Sequence, residues 1–197
     1  MYERYNIRDY ITTMTVQKAD PEYCRIERKR FGGFRHELKS TVIKSHFFDG
    51  FFDNAGLTEE DYNYIINGHS PVRMGSNGDE YMLYTIHHIK PLNCGGETRP
   101  SNLIPLPRAF HTFIHEKVFD PQLAKLKPGE TAELVGIPDF SKITLDMMND
   151  PSFRIQYHKF MVDEYKVYPA RLLHHKTKRA RADAFNQWYQ KTFGKIK

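Results

Sequence analysis

The sequence predicts an α+β fold in which a strand, a loop, a second strand and a helix form the centre and further helices follow C-terminally. Aromatic and β-branched residues dominate positions 80–87, which favours a strand. Two prolines and a Gly-Gly pair within residues 89–101 indicate a loop, and the short apolar segment 102–106 predicts the second strand. Beyond Asp120 the patterns are mostly helical.

Local signals place the boundaries of the elements on either side of the loop. Thr58 and Asp61 have the spacing of a capping box, with Asp in place of the usual Glu, at the start of a helix predicted over residues 58–68. Asn77-Gly78 predicts a turn before the first strand. Pro107 is expected to open a helix that continues to about residue 118, because proline is tolerated in a first helical turn.

Three more helices are predicted in the C-terminal region. Ser141 is a candidate cap for residues 142–148, and Asp150-Pro151 predicts the start of a helix that continues through residue 168. Apolar residues spaced by three or four positions predict a long last helix over residues 170–193, with Gly194 as its stop.

The composition narrows the class of protein. The chain has 197 residues, 40% of them hydrophobic, so it can bury a core of its own. Its two cysteines, Cys24 and Cys94, exclude a disulfide framework and a four-cysteine zinc site. The N-terminus has no secretory pattern and no run is long enough to span a membrane, so a soluble, cytoplasmic protein is expected. The net charge of +5 favours a polyanionic partner.

Four of the ten histidines fall in one window around the predicted loop: His87, His88, His111 and His115. His111 and His115 are four residues apart on the predicted helix, so their side chains share a face and can bind one metal ion. A strand-end histidine could complete a three-histidine site, which keeps positions open for water or substrate. Considered singly, such a pair is more often a solvated helix face, and the histidines could also be stabilising polar groups without a metal.

The order of residues in this window resembles the HNH, or ββα-metal, nuclease motif, and is most similar to the colicin and pyocin DNase toxins. The shared features are an adjacent His pair, a proline, a Gly-Gly, an Asn-Leu and a final His-x-x-x-His. They fall at residues 87/88, 91, 95/96, 102/103 and 111/115. The resemblance covers residues 80–118, which divides the chain into an N-terminal extension (1–79), the motif (80–118) and a helical C-terminal region (119–197).

The resemblance implies a role for each matching residue. His87, His111 and His115 would bind one divalent metal ion, and His88 would be the general base. Asn102 would tie the loop so that His88 is correctly aimed, although in some relatives that position binds the metal. Imidazoles suit Zn²⁺, Ni²⁺ or Co²⁺, while Mg²⁺ or Mn²⁺ are alternatives that could support turnover.

The sequence departs from the family pattern in two places. It lacks the paired cysteines that bind a structural zinc in many HNH proteins. Thr85 stands where the colicin-type enzymes place a carboxylate, so that supporting role would fall to Glu80 or Glu97 or be absent. Adjacent residues of a regular strand also point to opposite faces, so His87 and His88 can serve one site only if the strand bends or ends there.

Basic residues on the predicted last helix form a candidate DNA-binding surface: Lys176, Lys178, Arg179 and Arg181. A solvated helix face is the alternative. The basic cluster at residues 25–39 is a weaker candidate because Glu27 and Glu37 interrupt it.

The sequence therefore predicts a ββα-metal core with helical additions, mostly C-terminal, and a metal-dependent endonuclease that hydrolyses DNA with low sequence specificity. RNA cleavage is an alternative, and so is an inactive metal-containing nucleic-acid-binding protein. The resemblance implies an antibacterial toxin or effector with a cognate immunity protein, exported without a signal peptide, or else a nuclease of a phage or mobile element. No membrane partner is expected.

Overall fold

The computed structural model shows an α+β chain and describes residues 4–33, 35–53, 56–168 and 177–194. Within these residues three two-stranded antiparallel sheets pair β1 with β6, β2 with β3 and β4 with β5. The strands are β1 (Ile11–Gln17), β2 (Val72–Met74), β3 (Glu80–Met82), β4 (Tyr84–His88), β5 (Leu103–Pro107) and β6 (Thr131–Pro138). The helices are α1 (Pro21–Gly33), α2 (Arg35–Phe48), α3 (Glu59–Ile66), α4 (Arg108–Ile114), α5 (Asp120–Leu123), α6 (Leu145–Asn149), α7 (Pro151–Tyr165) and α8 (Lys178–Phe193). The predicted α+β class is confirmed.

The central strand predicted over residues 80–87 is divided into β3 and β4 at Leu83. The Leu83 N–H donates to the Pro71 carbonyl, and the Leu83 carbonyl accepts from the Arg108 N–H. Leu83 therefore bonds to the residues next to β2 and β5 and joins the two hairpins, in which β3 pairs with β2 and β4 pairs with β5. The second predicted strand is β5, in which Leu103 lies opposite His88 and Pro107 lies opposite Tyr84.

The helix that follows β5 begins directly after Pro107, as predicted, but part of it is π-helical. Helix α4 ends at Ile114, a π-helical segment covers residues His115–Phe119, and α5 continues to Leu123. Short π-helical segments inside α-helices often occur at functional sites. Here the wider winding begins at His115, one of the candidate metal ligands.

The signals around α3 and α7 are confirmed and those around α6 are not. Thr58 and Asp61 form the capping box of α3, and Asp150 caps α7. Helix α7 ends at Tyr165 rather than at residue 168, because Lys166 takes a left-handed φ of 55°. Helix α6 begins later than predicted, because Thr144 rather than Ser141 accepts the capping hydrogen bond. The Ser141 hydroxyl instead donates to the Asp139 carboxylate at 2.6 Å.

Several elements were not predicted from the sequence. Strand β6 lies in the region expected to be helical and pairs with β1, so that Ile11 lies opposite Pro138. Helices α1 and α2 precede the predicted helix α3 and the histidine window, so helical additions flank the window on both sides rather than mostly on its C-terminal side. Helix α8 is described from Lys178 onwards, and the start of the predicted last helix, residues 170–176, lies outside the described residues.

The core forms where the β4–β5 hairpin, α4 and α7 meet. Its fully buried side chains include Leu106, Phe110, Ile114, Phe153 and Tyr157. The Tyr157 hydroxyl donates to the Gly136 carbonyl at 2.6 Å, which ties α7 to β6. This packing fixes α4 across the hairpin and so fixes the histidines of the two elements relative to one another. Among the described helices, none is long and apolar enough to cross a membrane.

Candidate metal centre

The hairpin buries His87 against α4. His87 is the fourth residue of β4, lies opposite Ile104, and is 1% exposed. Its ring centroid is 5.1 Å from that of His111 and 5.1 Å from that of His115, and the latter two are 4.8 Å apart. One ligand atom from each ring lies within 4.8 Å of the other two. The structure thus brings together the three predicted ligands.

The His87 ring has no hydrogen-bond partner in the part of the chain that the structure describes. Among the described side chains, only His87 has buried nitrogen or oxygen atoms without a hydrogen bond, and this holds for both Nδ1 and Nε2. A buried polar group without a partner is expensive, so native proteins rarely contain one without a reason such as a missing ion. A metal bound by one of these nitrogens would fit the cluster, because imidazole is a common ligand of zinc and neighbouring transition metals.

Burial also keeps the His87 and His111 rings neutral, which is the form that binds metal. Desolvation, followed by the proximity of the other histidines, lowers the pKa of His87 well below its ordinary value. The same two causes lower the pKa of His111 to about 4. Both rings are therefore uncharged near neutral pH, and a cation can approach them without displacing protons.

Thr85 supports the metal centre by a hydrogen bond to His111. Thr85 lies two residues before His87 on the same face of β4, and its Oγ1 is 2.7 Å from His111 Nδ1. If Nδ1 carries the proton, it donates to the hydroxyl and leaves Nε2 for a metal, as outer-shell partners of ligand histidines commonly arrange. Neither Glu80 nor Glu97 is placed there: Glu80 lies exposed in β3, and Glu97 forms an exposed ion pair with Arg99.

His115 has a carboxylate neighbour in the π-helical region. Its Nδ1 is 3.9 Å from Asp120 Oδ1, and both side chains are partly exposed. At this separation the contact is electrostatic rather than a hydrogen bond. His115 is thus partly exposed, as is His111, whereas His87 is the enclosed member of the three.

His88 lies at the end of β4 on the opposite face from His87, as the strand alternation requires. It nevertheless reaches the same site, because it lines a cavity of about 260 Å³ together with His111 and His115. The strand ends at His88, and β4 has a paired neighbour on one side only, so the cavity opens around the strand end. His87 and His88 can therefore serve one site because the strand ends at His88, without a bend in the strand.

His88 is connected to a carboxylate that sequence reasoning did not assign. Its Nε2 is 3.2 Å from Thr98 Oγ1, and the backbone N–H of Thr98 donates to Glu27 Oε2 at 2.9 Å. Glu27 is 6% exposed, and the backbone hydrogen bond from Thr98, assisted by the Thr98 hydroxyl, lowers the pKa of Glu27 despite burial. The spacing of Cys24, Glu27 and Phe31, which places an acid on the inward face of α1, was the available signal.

The surroundings of His88 keep its ring neutral and fix its position. Burial is the main cause that lowers the pKa of His88, the His115 ring acts in the same direction, and the Glu27 charge opposes both. The Phe31 and His88 rings pack edge to face, with their centroids 5.3 Å apart. The exposed Arg28 lines the same cavity and brings a positive charge to it.

Asn102 organises the loop between the two strands. Its side-chain oxygen accepts from the Lys90 N–H at 2.8 Å, and its nitrogen donates to the carbonyls of Lys90 and Glu97 at 3.1 and 2.9 Å. Both ends of its amide thus bond to backbone, in the manner of a loop tie. Gly96 is required beside it, because a Cβ there would lie 1.8 Å from the Lys90 carbonyl oxygen.

The predicted DNA-binding residues on the last helix are described only in part. Arg179 lies exposed in the first turn of α8. Lys176 lies outside the described residues, and for Lys178 and Arg181 the structure describes the backbone without the side chains. Whether these four residues form one surface is therefore left as a prediction.

Comparison with known protein families, curated proteins and solved structures finds no match to this chain.

Proposed function

We propose that this protein is a metal-dependent endonuclease of the HNH, ββα-metal class, which hydrolyses DNA phosphodiester bonds with low sequence specificity. The observation that carries the proposal is the enclosed His87 ring, whose two nitrogens lack partners and which faces His111 and His115 beside the cavity of His88. Strand β4, the loop tied by Asn102, strand β5 and helix α4 would be the hairpin, loop and helix of that class.

His87, His111 and His115 would hold one divalent ion, with Zn²⁺, Ni²⁺ or Co²⁺ favoured by their imidazoles. When bound, the metal supplies Lewis acidity that stabilises the charge developing on the phosphate and on the leaving 3′ oxygen. With a proton on His111 Nδ1 donated to the Thr85 hydroxyl, the ring would present Nε2 to the metal. The enclosed position of His87 favours a fixed ligand geometry, because surrounding core residues restrict its ring.

His88 would accept the proton of the attacking water. The Thr98 hydroxyl is within reach of both the Glu27 carboxylate and His88 Nε2, so it can donate to the former and accept from the latter. In that arrangement Nε2 carries the ring proton, and Nδ1 has the free lone pair that a general base needs. Its lowered pKa leaves the ring neutral and ready to accept a proton at neutral pH.

Substrate binding would be mainly electrostatic. Arg28 borders the cavity, and Arg179 with its basic neighbours on α8 offers a second positive region that could contact phosphates. Phosphate contacts carry no sequence information, so low specificity is expected. An antibacterial toxin with a cognate immunity protein is the setting that the motif favours, and a phage or mobile-element nuclease is the alternative.

The direct test is incubation of the purified protein with supercoiled plasmid in the presence of Zn²⁺, Ni²⁺, Co²⁺, Mg²⁺ or Mn²⁺, with and without chelator. We expect nicked and linear products with at least one metal and none with chelator. A parallel reaction with structured RNA decides between the two substrates. Metal binding without cleavage of either nucleic acid would contradict the proposal and favour an inactive metal-containing binding protein.

A further inference from the structure

A second cavity, of about 550 Å³, lies along β4 from the cavity of His88. It is enclosed by α2, by α3 and the turn after it, by the β2–β3 hairpin and by β4. Its volume lies within the roughly 300–1,000 Å³ of typical small-molecule sites. Ile86 lines both this cavity and the cavity of His88, so the two are neighbours on one strand.

The two cavities lie next to one another along strand β4. Tyr84, Ile86 and His88 are every second residue of β4, so their side chains lie on the same face of the strand. Successive side chains on that face are about 7 Å apart along the strand. Tyr84 and Ile86 border the second cavity, whereas Ile86 and His88 border the first. A group attached to a phosphate beside His88 therefore has to extend only past Ile86 to enter the second cavity.

The side chains that line the second cavity suit a flat, apolar group joined to an anion. Tyr64, Val72 and Met82 form its outer wall and are 44%, 42% and 40% exposed, so apolar surface faces the opening. Lys39 is also part of the lining, and none of the described lining residues is acidic. A nucleobase has this chemistry: its faces stack on aromatic rings, and its backbone phosphate is attracted to a lysine.

The turn that forms one wall is held tightly in place. Gly68 has a left-handed φ of +81°, and a Cβ there would lie 2.0 Å from Ser40 Oγ and 2.9 Å from Ser40 Cα. The following Ser70 accepts a hydrogen bond from the Tyr84 N–H at 2.8 Å. The cavity is thus bounded by packed backbone on α2 and β4 rather than by mobile side chains alone.

We propose that this second cavity is a nucleobase subsite that receives the base next to the phosphate held at the metal centre. This inference rests on the proposed nuclease function and specifies its substrate. A base can enter the cavity only when it is unstacked, so single-stranded or locally unpaired nucleic acid is the preferred substrate. Tyr64 supplies the stacking surface, and Val72 and Met82 contact the other edge of the base.

The test measures binding without cleavage. A dye-labelled single-stranded tetrathymidylate and its abasic counterpart, which has the same phosphates without bases, are titrated in zinc against the His88→Ala protein by fluorescence anisotropy. We expect the thymine-bearing strand to bind about 10- to 100-fold more tightly, the usual range for one stacked base. Adding Tyr64→Ala or the cavity-filling Met82→Trp should abolish that difference.

Two control variants separate stacking from general damage. Tyr64→Phe keeps the ring and should keep the base-dependent affinity, and Tyr165→Ala, at a 37%-exposed tyrosine on α7, should leave it unchanged. Equal affinity for the two strands, weak binding of both, or a base preference that survives Tyr64→Ala and Met82→Trp would overturn the subsite. Dimerisation of the parent that Tyr64→Ala abolishes, detected by light scattering, would assign the cavity to self-association and also overturn it.

Failure of the subsite is distinguishable from failure of the proposed function. The nuclease proposal fails if the parent protein does not cut plasmid or RNA with any metal. The subsite fails if the base makes no difference to binding, even when the parent cuts DNA.

Discussion

Asp61 and His87 are both buried polar side chains, 3% and 1% exposed, but their surroundings differ completely. The Asp61 carboxylate accepts hydrogen bonds from Arg73 Nη1 at 2.8 Å and Nη2 at 2.6 Å, and from the Thr58 N–H at 3.1 Å. Both His87 nitrogens lack a partner. Since these two residues lie in the same chain under similar burial, burial alone does not explain the missing partners of His87.

We interpret the difference as that between a polar residue with a structural role and one with a proposed role in metal binding. Asp61 completes the capping box of α3 and pairs with β2, so its interactions are satisfied within the fold. His87 faces two other histidines but forms no hydrogen bond with them, because the rings pack edge to face and leave its nitrogens unsatisfied. A polar residue that the fold leaves without a partner is expected to have one that is not part of the chain.

Replacing the base while keeping the ligands has the largest expected effect. His88→Ala should fold, bind one metal and lower the cleavage rate by roughly 10²–10⁴-fold, the usual contribution of a positioned general base. Single-turnover cleavage of a labelled duplex measures this rate. The matched variant His87→Ala should lose metal and activity together.

Exchanged phenotypes of these two variants would show that the roles of His87 and His88 are reversed. Cleavage by His88→Ala at the parent rate would remove His88 from the mechanism.

Asp61→Asn should lower the free energy of unfolding by about 3 kcal/mol, near the lower end of the cost of breaking a buried ion pair. The Arg73 guanidinium lowers the pKa of Asp61 to about 2, whereas an unfolded aspartate titrates near 3.9. The stabilisation is therefore complete above the unfolded pKa and is lost as pH falls toward 2.

Urea unfolding at pH 7, 4 and 2.5 tests this prediction. The difference between the parent and Asp61→Asn should shrink as the pH falls. Glu60→Gln, an exposed acid on the same helix turn, is the control and should change little. A pH-independent difference would mean that the charge of Asp61 is not its source.

His87→Leu should have the smallest effect on stability, and in the opposite direction. In chelator we expect the free energy of unfolding to stay constant or rise by about 1 kcal/mol, because an apolar group replaces an unsatisfied buried one. Urea unfolding monitored by Trp188 fluorescence measures this change. A decrease of more than 2 kcal/mol in the free energy of unfolding in chelator would show that the fold itself requires the imidazole. His87 would then be a structural polar residue like Asp61.

The sequence predicted the parts of the fold that depend on local signals. Thr58 and Asp61 identified the start of α3, Pro107 identified the start of α4, and the spacing of His111 and His115 placed both on one helix face. Each depends on residues within a few positions of one another, where capping and periodicity act.

The remaining parts depend on contacts between residues far apart in the chain. Strand β6 forms because β1, more than one hundred residues away, provides its hydrogen-bond partner. Glu27 reaches Thr98 only after α1 packs on the loop, and 71 positions separate them. Pairing across such distances follows from the packed structure and leaves little local pattern.

Metal binding by the three histidines is the central claim, and zinc stoichiometry tests it most directly. Equilibrium dialysis of the parent followed by elemental analysis should give one Zn²⁺ per chain, released by chelator. His111→Ala should weaken binding by more than the 10- to 100-fold that loss of an outer-shell partner costs. His158→Leu, at a buried histidine on α7 outside the cluster, should leave binding unchanged. No bound zinc in the parent, or equal affinity in the parent and His111→Ala, would contradict the account.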